Sequence, residues 1–220
     1  MFDETRLSPN YGYPRGTAGR GGQRIEGVGV HISGGELAGN LSWISNPRAN
    51  ASYNVLVARD GKAILLVPTA NAAWAHGAVR NSKWPMLRNG VNPNLHTLSI
   101  ARVGSDQRKW DPPQMDTIVK IIKAWSKEFN FPAKWPNVFG HKHIDSVNRY
   151  FCPGDLFLSE LYVQLATFDA EPEILPSNRM FRVIAGSYAD RHNAEMVMAN
   201  LRRMGVTGVF IDIYDRGSGS

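Results

Sequence analysis

Apolar and polar positions fall into short blocks along the chain, each with its own period. The run Glu-Gly-Val-Gly-Val-His-Ile at 26–32, with Val28, Val30 and Ile32, reads as a buried strand that delivers His31 at its end. Within 35–47, Leu37, Leu41 and Ile44 recur at helical spacing, and the pattern stops at Asn-Pro. Two apolar runs in 52–68 flank Arg-Asp-Gly-Lys, a hairpin with Asp60 and Gly61 at the turn. A further strand follows at 96–103.

The clearest helix spans 112–132. Met115, Ile118, Ile121, Ile122, Trp125 and Phe129 share one face, and Pro132 follows the end. A second helix at 155–168 repeats the pattern through Leu158, Leu161, Tyr162 and Leu165. Strands interleaved with helices predict an α/β fold, a mixed β-sheet flanked by helices.

The segment 169–179 has two prolines and little apolar content, as a linker does. Beyond it, 181–214 reads as strand, helix, strand: Asp190 is the N-cap, Ala194, Val197, Met198 and Leu201 line one face, and Gly205 ends the helix. The expected division is a domain at 1–168, a linker at 169–179, a small β-α-β unit at 180–215 and a Gly-Ser tail at 216–220. A unit of about 35 residues cannot bury a core alone. Its strands, with Val183, Ile184, Val209, Phe210 and Ile211, would leave an apolar edge open. A two-fold homodimer through 181–214 would cover that edge, and folding back on its own chain is the other solution.

Composition narrows the partners. The chain has 220 residues, 43% hydrophobic and 20% charged, which fits a globular protein with a real core. No apolar run approaches the roughly 20 residues that span a bilayer, so no membrane insertion is expected. The N-terminus is polar and rich in Gly and Arg, without the apolar core of a signal peptide. Synthesis in the cytoplasm is therefore expected, with any outside target reached after release. The net charge of +6 suits a polyanion, but the basic residues are scattered and form no nucleic-acid arm. One cysteine excludes an intrachain disulfide.

That cysteine lies in Gly-His-Lys-His-Ile-Asp…Cys-Pro-Gly-Asp at 140–155. A catalytic zinc site uses three protein ligands and an open fourth position, and His31, His141 and Cys152 could supply them. The same residues admit a Cys–His nucleophile, with Cys152 just ahead of a helix N-terminus that would lower its thiol pKa. They also admit a buried His and a buried Cys with no chemistry. Spacing alone leaves the three readings open.

Five ordered segments across roughly 7–165 resemble the zinc-dependent N-acetylmuramoyl-L-alanine amidases, the group of phage endolysins and peptidoglycan recognition proteins. They are Gly-Val-Gly-Val-His-Ile-Ser, the Tyr53-bearing hairpin, Ala-Ala-Trp-Ala-His-Gly with its histidine displaced by one position, Asn-Pro-Asn-Leu-His-Thr-Leu-Ser-Ile-Ala-Arg-Val-Gly, and the Gly-His to Cys-Pro-Gly stretch. The resemblance implies one Zn²⁺ per chain on His31, His141 and Cys152, with His141 favoured over His143 because it directly follows the glycine. It implies that Tyr53 reaches the reacting oxygen, that Trp74 and His76 line the substrate groove, and that Arg149 and Lys142 stand near the developing charge. It places Ala101 where many members carry a catalytic glutamate, so that Ala101→Glu is expected to restore a general base. The segment 181–211 is similar to one half of a sporulation-related repeat, a peptidoglycan-binding module. The implied activity is cleavage of the amide between N-acetylmuramic acid and L-alanine, by an endolysin or autolysin acting on the wall after host cell lysis. The rival is a protein that binds peptidoglycan without cutting it.

Overall fold

The computed structural model describes residues 2–167 and, beyond them, Ala194, Glu195, Val197 and Met198, which are helical. The chain divides into two compact units, Met1–Glu171 and Pro172–Ser220. The expected linker, the two strands of the C-terminal β-α-β unit and the tail lie outside the described residues.

The first unit is a mixed six-stranded sheet in the order β1-β4-β3-β5-β2-β6. Its strands are β1 (Glu4–Thr5), β2 (Gly27–Ile32), β3 (Val55–Val57), β4 (Ala63–Leu65), β5 (Thr97–Arg102) and β6 (Val138–Gly140). Only the β3–β4 hairpin is antiparallel. Four helices accompany the sheet: α1 (Leu37–Ser45), α2 (Pro93–His96), α3 (Pro112–Phe129) and α4 (Asp155–Thr167). Every residue of β2 and β5 is buried, including the polar Thr97, Ser99, Arg102 and His31, because helices and loops cover both faces of the central parallel strands.

The two faces carry different cores. Val28, Val30, Val55, Leu98 and Ile100 meet Met115, Ile118, Ile122 and Trp125 of α3 and Phe157, Leu158 and Leu161 of α4. On the other face Leu56, Ile64, Ala101 and Val103 pack with Leu41 and Ile44 of α1, and Tyr53 lies against them. Prolines open α3, where a missing N–H costs nothing. Asn130 closes it at φ 54°, two residues before the proline that the sequence pattern points to.

Three elements escape the sequence pattern. β1 and β6 are too short for a period, and α2 is a single turn. The polar N-terminal segment is tied down by side chains rather than by apolar burial. Arg20 is buried and donates to the carbonyls of Thr69, Asn71, Asn94, Leu95 and Thr97. The hairpin strands are shorter than the apolar runs suggest: the Asn54 carbonyl is shared by the N–H groups of Leu66 and Val67, and its side chain bonds Ser99 and Val67.

Candidate metal centre

Three elements converge at the carboxyl ends of the parallel strands. β2 presents His31, the turn after β6 presents His141, and the loop before α4 presents Cys152. Gly140 permits the last approach: a Cβ there would stand 2.6 Å from Pro153 Cδ and 3.2 Å from the Cys152 carbonyl oxygen. Their ligand atoms lie within 4.8 Å of one another, and exposures are 1% for His31, 6% for His141 and 4% for Cys152.

The donor set fits a soft divalent cation. His141 Nε2 lies 2.8 Å from the His76 carbonyl oxygen. A carbonyl only accepts, so Nε2 holds the proton and Nδ1 offers its lone pair. That lone pair meets His31 Nδ1 at 3.1 Å. Two nitrogens each about 2.0–2.1 Å from one tetrahedral zinc would stand about 3.3–3.4 Å apart, so the spacing suits a shared ion. Among the described residues no carboxylate joins the group.

Electrostatics separates the readings of Cys152. Burial pushes its thiol up to about 11, against the Ile32 N–H that it accepts at 3.4 Å and the charges of Arg149 and Arg102. A thiol raised this far is no nucleophile at neutral pH; a thiolate there needs a cation. Burial also lowers His141 to about 4 and His31 well below the ordinary range. Both rings are therefore neutral, as ligands must be.

The other expected residues fall into place unevenly. The Tyr53 ring is 5.2 Å from that of His31, half-buried, with no hydrogen bond to its hydroxyl among the described residues. Burial, then Cys152, raises its phenol above the ordinary value. Arg149 is exposed, and its charge acts on His31, Tyr53, His141 and Cys152 alike. Lys142 pairs with Asp155 instead. His143 stays outside the group: its Nδ1 accepts from the Gly140 N–H, and its ring lies 4.5 Å from Trp135. Trp74 is half-buried, donates to the Gly12 carbonyl and carries the Arg15 guanidinium over its ring. His76, expected in the groove wall, is 1% exposed and lies behind the ligands. Ala101 is fully buried in the apolar cluster beside Leu56.

Two supporting residues were missed in the sequence. Arg102 donates to the carbonyls of Asp106, Lys109 and Pro153 and so holds the cysteine loop. Asp145 accepts from the N–H groups of Val147 and Asn148 and shapes the loop from His141 to Cys152. Only the Asp-Ser-Val-Asn turn chemistry hinted at the second.

The fold and the three converging donors define an α/β domain with a candidate His₂Cys metal centre. A family profile described as N-acetylmuramoyl-L-alanine amidase matches residues 21–155, and the chain belongs to that family. It is thus a peptidoglycan amidase. Solved structures share the fold. A selenomethionine derivative of AmpD is 19% identical with a TM-score of 0.57, over 75% of this chain and 98% of that one. The amidase LysC from Clostridium intestinale is 14% identical with a TM-score of 0.51, over 76% and 97%. The E. coli amidase AmiD, in complex with anhydro-N-acetylmuramic acid-L-Ala-D-gamma-Glu-L-Lys, is 18% identical with a TM-score of 0.54, over 84% and 65%. No curated protein sequence matches the chain.

Proposed function

We propose that this amidase hydrolyses the bond between N-acetylmuramic acid and L-alanine at a single zinc ion held by His31, His141 and Cys152. The observation that carries the reading is the meeting of three buried donor atoms, two of them on imidazoles that burial keeps neutral, within 4.8 Å. Zinc bound there supplies Lewis acidity toward the amide carbonyl and the hydrolytic water. The protein supplies the rest. Tyr53 keeps its proton at neutral pH, so its hydroxyl acts as a donor to oxygen on which charge develops. Arg149 adds positive charge from the solvent side. The apolar cluster of Leu56, Ala101 and Val103 packs against Tyr53. The intact donor set supports cleavage over a purely binding role.

The chain as purified is expected to hold about one zinc per molecule and to clear suspensions of purified walls. Cys152→Ser and His141→Ala should lose both metal and clearing, while His143→Ala keeps both. Full zinc retention in the first two variants refutes the assignment.

Residues 180–215 are read as a wall-binding half-module, supported by the likeness of the sequences Phe-Arg-Val, Gly-Ser-Tyr and Asn-Ala-Glu to those of a sporulation-related repeat. Pairing of two such halves through 181–214 would give a dimer with two catalytic domains. The enzyme would act on the wall after release by host cell lysis. Light scattering on the full chain and on a chain ending near Ala170 tests the pairing. The full chain should be dimeric and the shorter one monomeric; a monomeric full chain at micromolar concentration rejects it.

A further inference from the structure

The sequence Lys-Trp-Pro occurs twice, at 83–85 and 134–136. The first tryptophan is committed to the fold: Trp84 is 3% exposed, and its indole N–H donates to the Pro136 carbonyl at 2.8 Å. The second is not. Trp135 is 40% exposed, and its indole N–H makes no hydrogen bond among the described residues. Its ring rests against that of His143 at 4.5 Å and borders a cleft.

That cleft has a volume of about 590 Å³, a size suited to a small ligand. Lys123 of α3, Tyr162, Leu165 and Ala166 of α4, and Lys134 and Trp135 of the loop before β6 line it. Tyr162 is fixed as a wall, because its hydroxyl donates to the Val138 carbonyl at 3.0 Å. The described lining thus offers two aromatic rings and two ammonium groups, and no carboxylate. Along α3 the charge continues. Lys120 and Lys127 are exposed and lie three and four residues from Lys123, on the same helix face.

The cleft and the metal centre lie on different sides of the sheet. Tyr162 and Leu165 pack with the α3–α4 core, whereas His31 stands in register with Ala101 of the α1 cluster. The cleft is therefore no wall of the groove above the metal. Strand β6 still keeps the two close: six residues lead from Trp135 to His141, so their Cα atoms lie at most about 22 Å apart. A polymer can reach both.

We propose that this cleft is a second binding site for the glycan–peptide polymer, separate from the site of cleavage. A sugar ring packs its C–H face on Trp135, and stem-peptide carboxylates are drawn to Lys134 and the lysines of α3. The assignment rests on the peptidoglycan amidase reading, since that substrate joins sugar rings to carboxylates in one chain. A neutral glycan would leave the lysines unused, and a phosphate polymer the open indole. Holding the polymer at a second point raises its effective concentration at the metal centre.

Two measurements test this on the full chain. In the first, soluble glycan chains with intact stem peptides are added to protein carrying Cys152→Ser, so that nothing is cut. The Trp135 indole N–H resonance, assigned by its loss in Trp135→Phe, should shift, and Lys134→Glu should weaken the binding. No shift, or a shift given by polyglycerol phosphate and not by the glycan–peptide, overturns the proposal. In the second, Trp135→Ala and Lys134→Glu should raise KM for intact walls roughly tenfold or more. They should leave kcat/KM for a single soluble muramoyl-peptide unchanged. Equal losses on both substrates reject a separate site. Lys134→Glu serves alone if Trp135→Ala does not fold, because the Lys134 backbone makes its bonds whatever the side chain. A parent inactive on both substrates overturns the amidase reading, and the indole shift then still decides the cleft.

Discussion

Ala101 stands in register with His31 across the parallel β2–β5 pair and with Leu56 across β5–β3. Paired residues of parallel neighbours share a face, so the Ala101 methyl points to the side of the sheet that holds the candidate metal centre. The methyl is fully buried in the apolar cluster, however. The sequence suggests a vacated general-base site; a longer side chain there would have to displace the neighbours that bury the methyl. Ala101→Glu should overfill the cluster and bury a carboxyl, costing about 1–3 kcal/mol, and should not raise wall turnover. Thermal melts and turbidity assays check both halves. A faster variant would mean that the cluster opens.

Tyr53 and Arg149 should separate by mechanism. Tyr53→Phe removes one donor and leaves the ligands in place, so zinc content stays and kcat falls by roughly 10²–10³, the effect of deleting one oxyanion donor. Arg149→Ala removes an exposed charge, and a loss of about tenfold in kcat/KM, or about 1.4 kcal/mol, is expected. Lys142→Ala should change little, because that ammonium pairs with Asp155. Equal losses at Arg149 and Lys142 would show only a general need for positive charge.

Acid sensitivity should trace in part to His96, which lies away from the ligands. Its ring is wholly buried and stacked 5.4 Å from that of Trp84. Burial, then Arg88, lowers its pKa, against the pull of Glu26. The unfolded chain takes up this proton near the ordinary value of about 6.5, the folded chain only at lower pH. In that window the unfolded state binds more protons, so stability is complete above about pH 6.5 and falls as pH drops through it. Urea midpoints should be lower at pH 5.5 than at pH 7.5. His96→Phe keeps the ring stack and should reduce the difference; an unchanged slope would clear His96 of the effect.

The fold was legible where burial imposes a period. β2, β5, α1, α3 and α4 announce themselves through Val28, Ile100, Leu41, Ile118 and Leu161, each on a continuous apolar face. The donor residues His31, His141 and Cys152 stood out as rare types at element ends, and the structure brings them together. What stayed hidden depends on side chains reaching backbone carbonyls. Arg20 and Arg102 look like surface charges in a sequence, because nothing local records that the carbonyls they serve belong to other segments. His76 was visible as a residue but not as a buried one, since its seat is the absence of a Cβ on Gly29, far away in the chain.

The pairing of Ile32 with Cys152 spans 120 residues, and that of His31 with His141 spans 110. During synthesis the first histidine is complete long before its partners exist. Strand β2 also needs β5 and β6 on either side before its own bonds can form. A chain halted anywhere short of the cysteine loop has an incomplete donor set. A chain terminated within 33–140 therefore lacks both His141 and Cys152 of the candidate metal centre. The candidate donor set is complete only once the last part of the domain has been made.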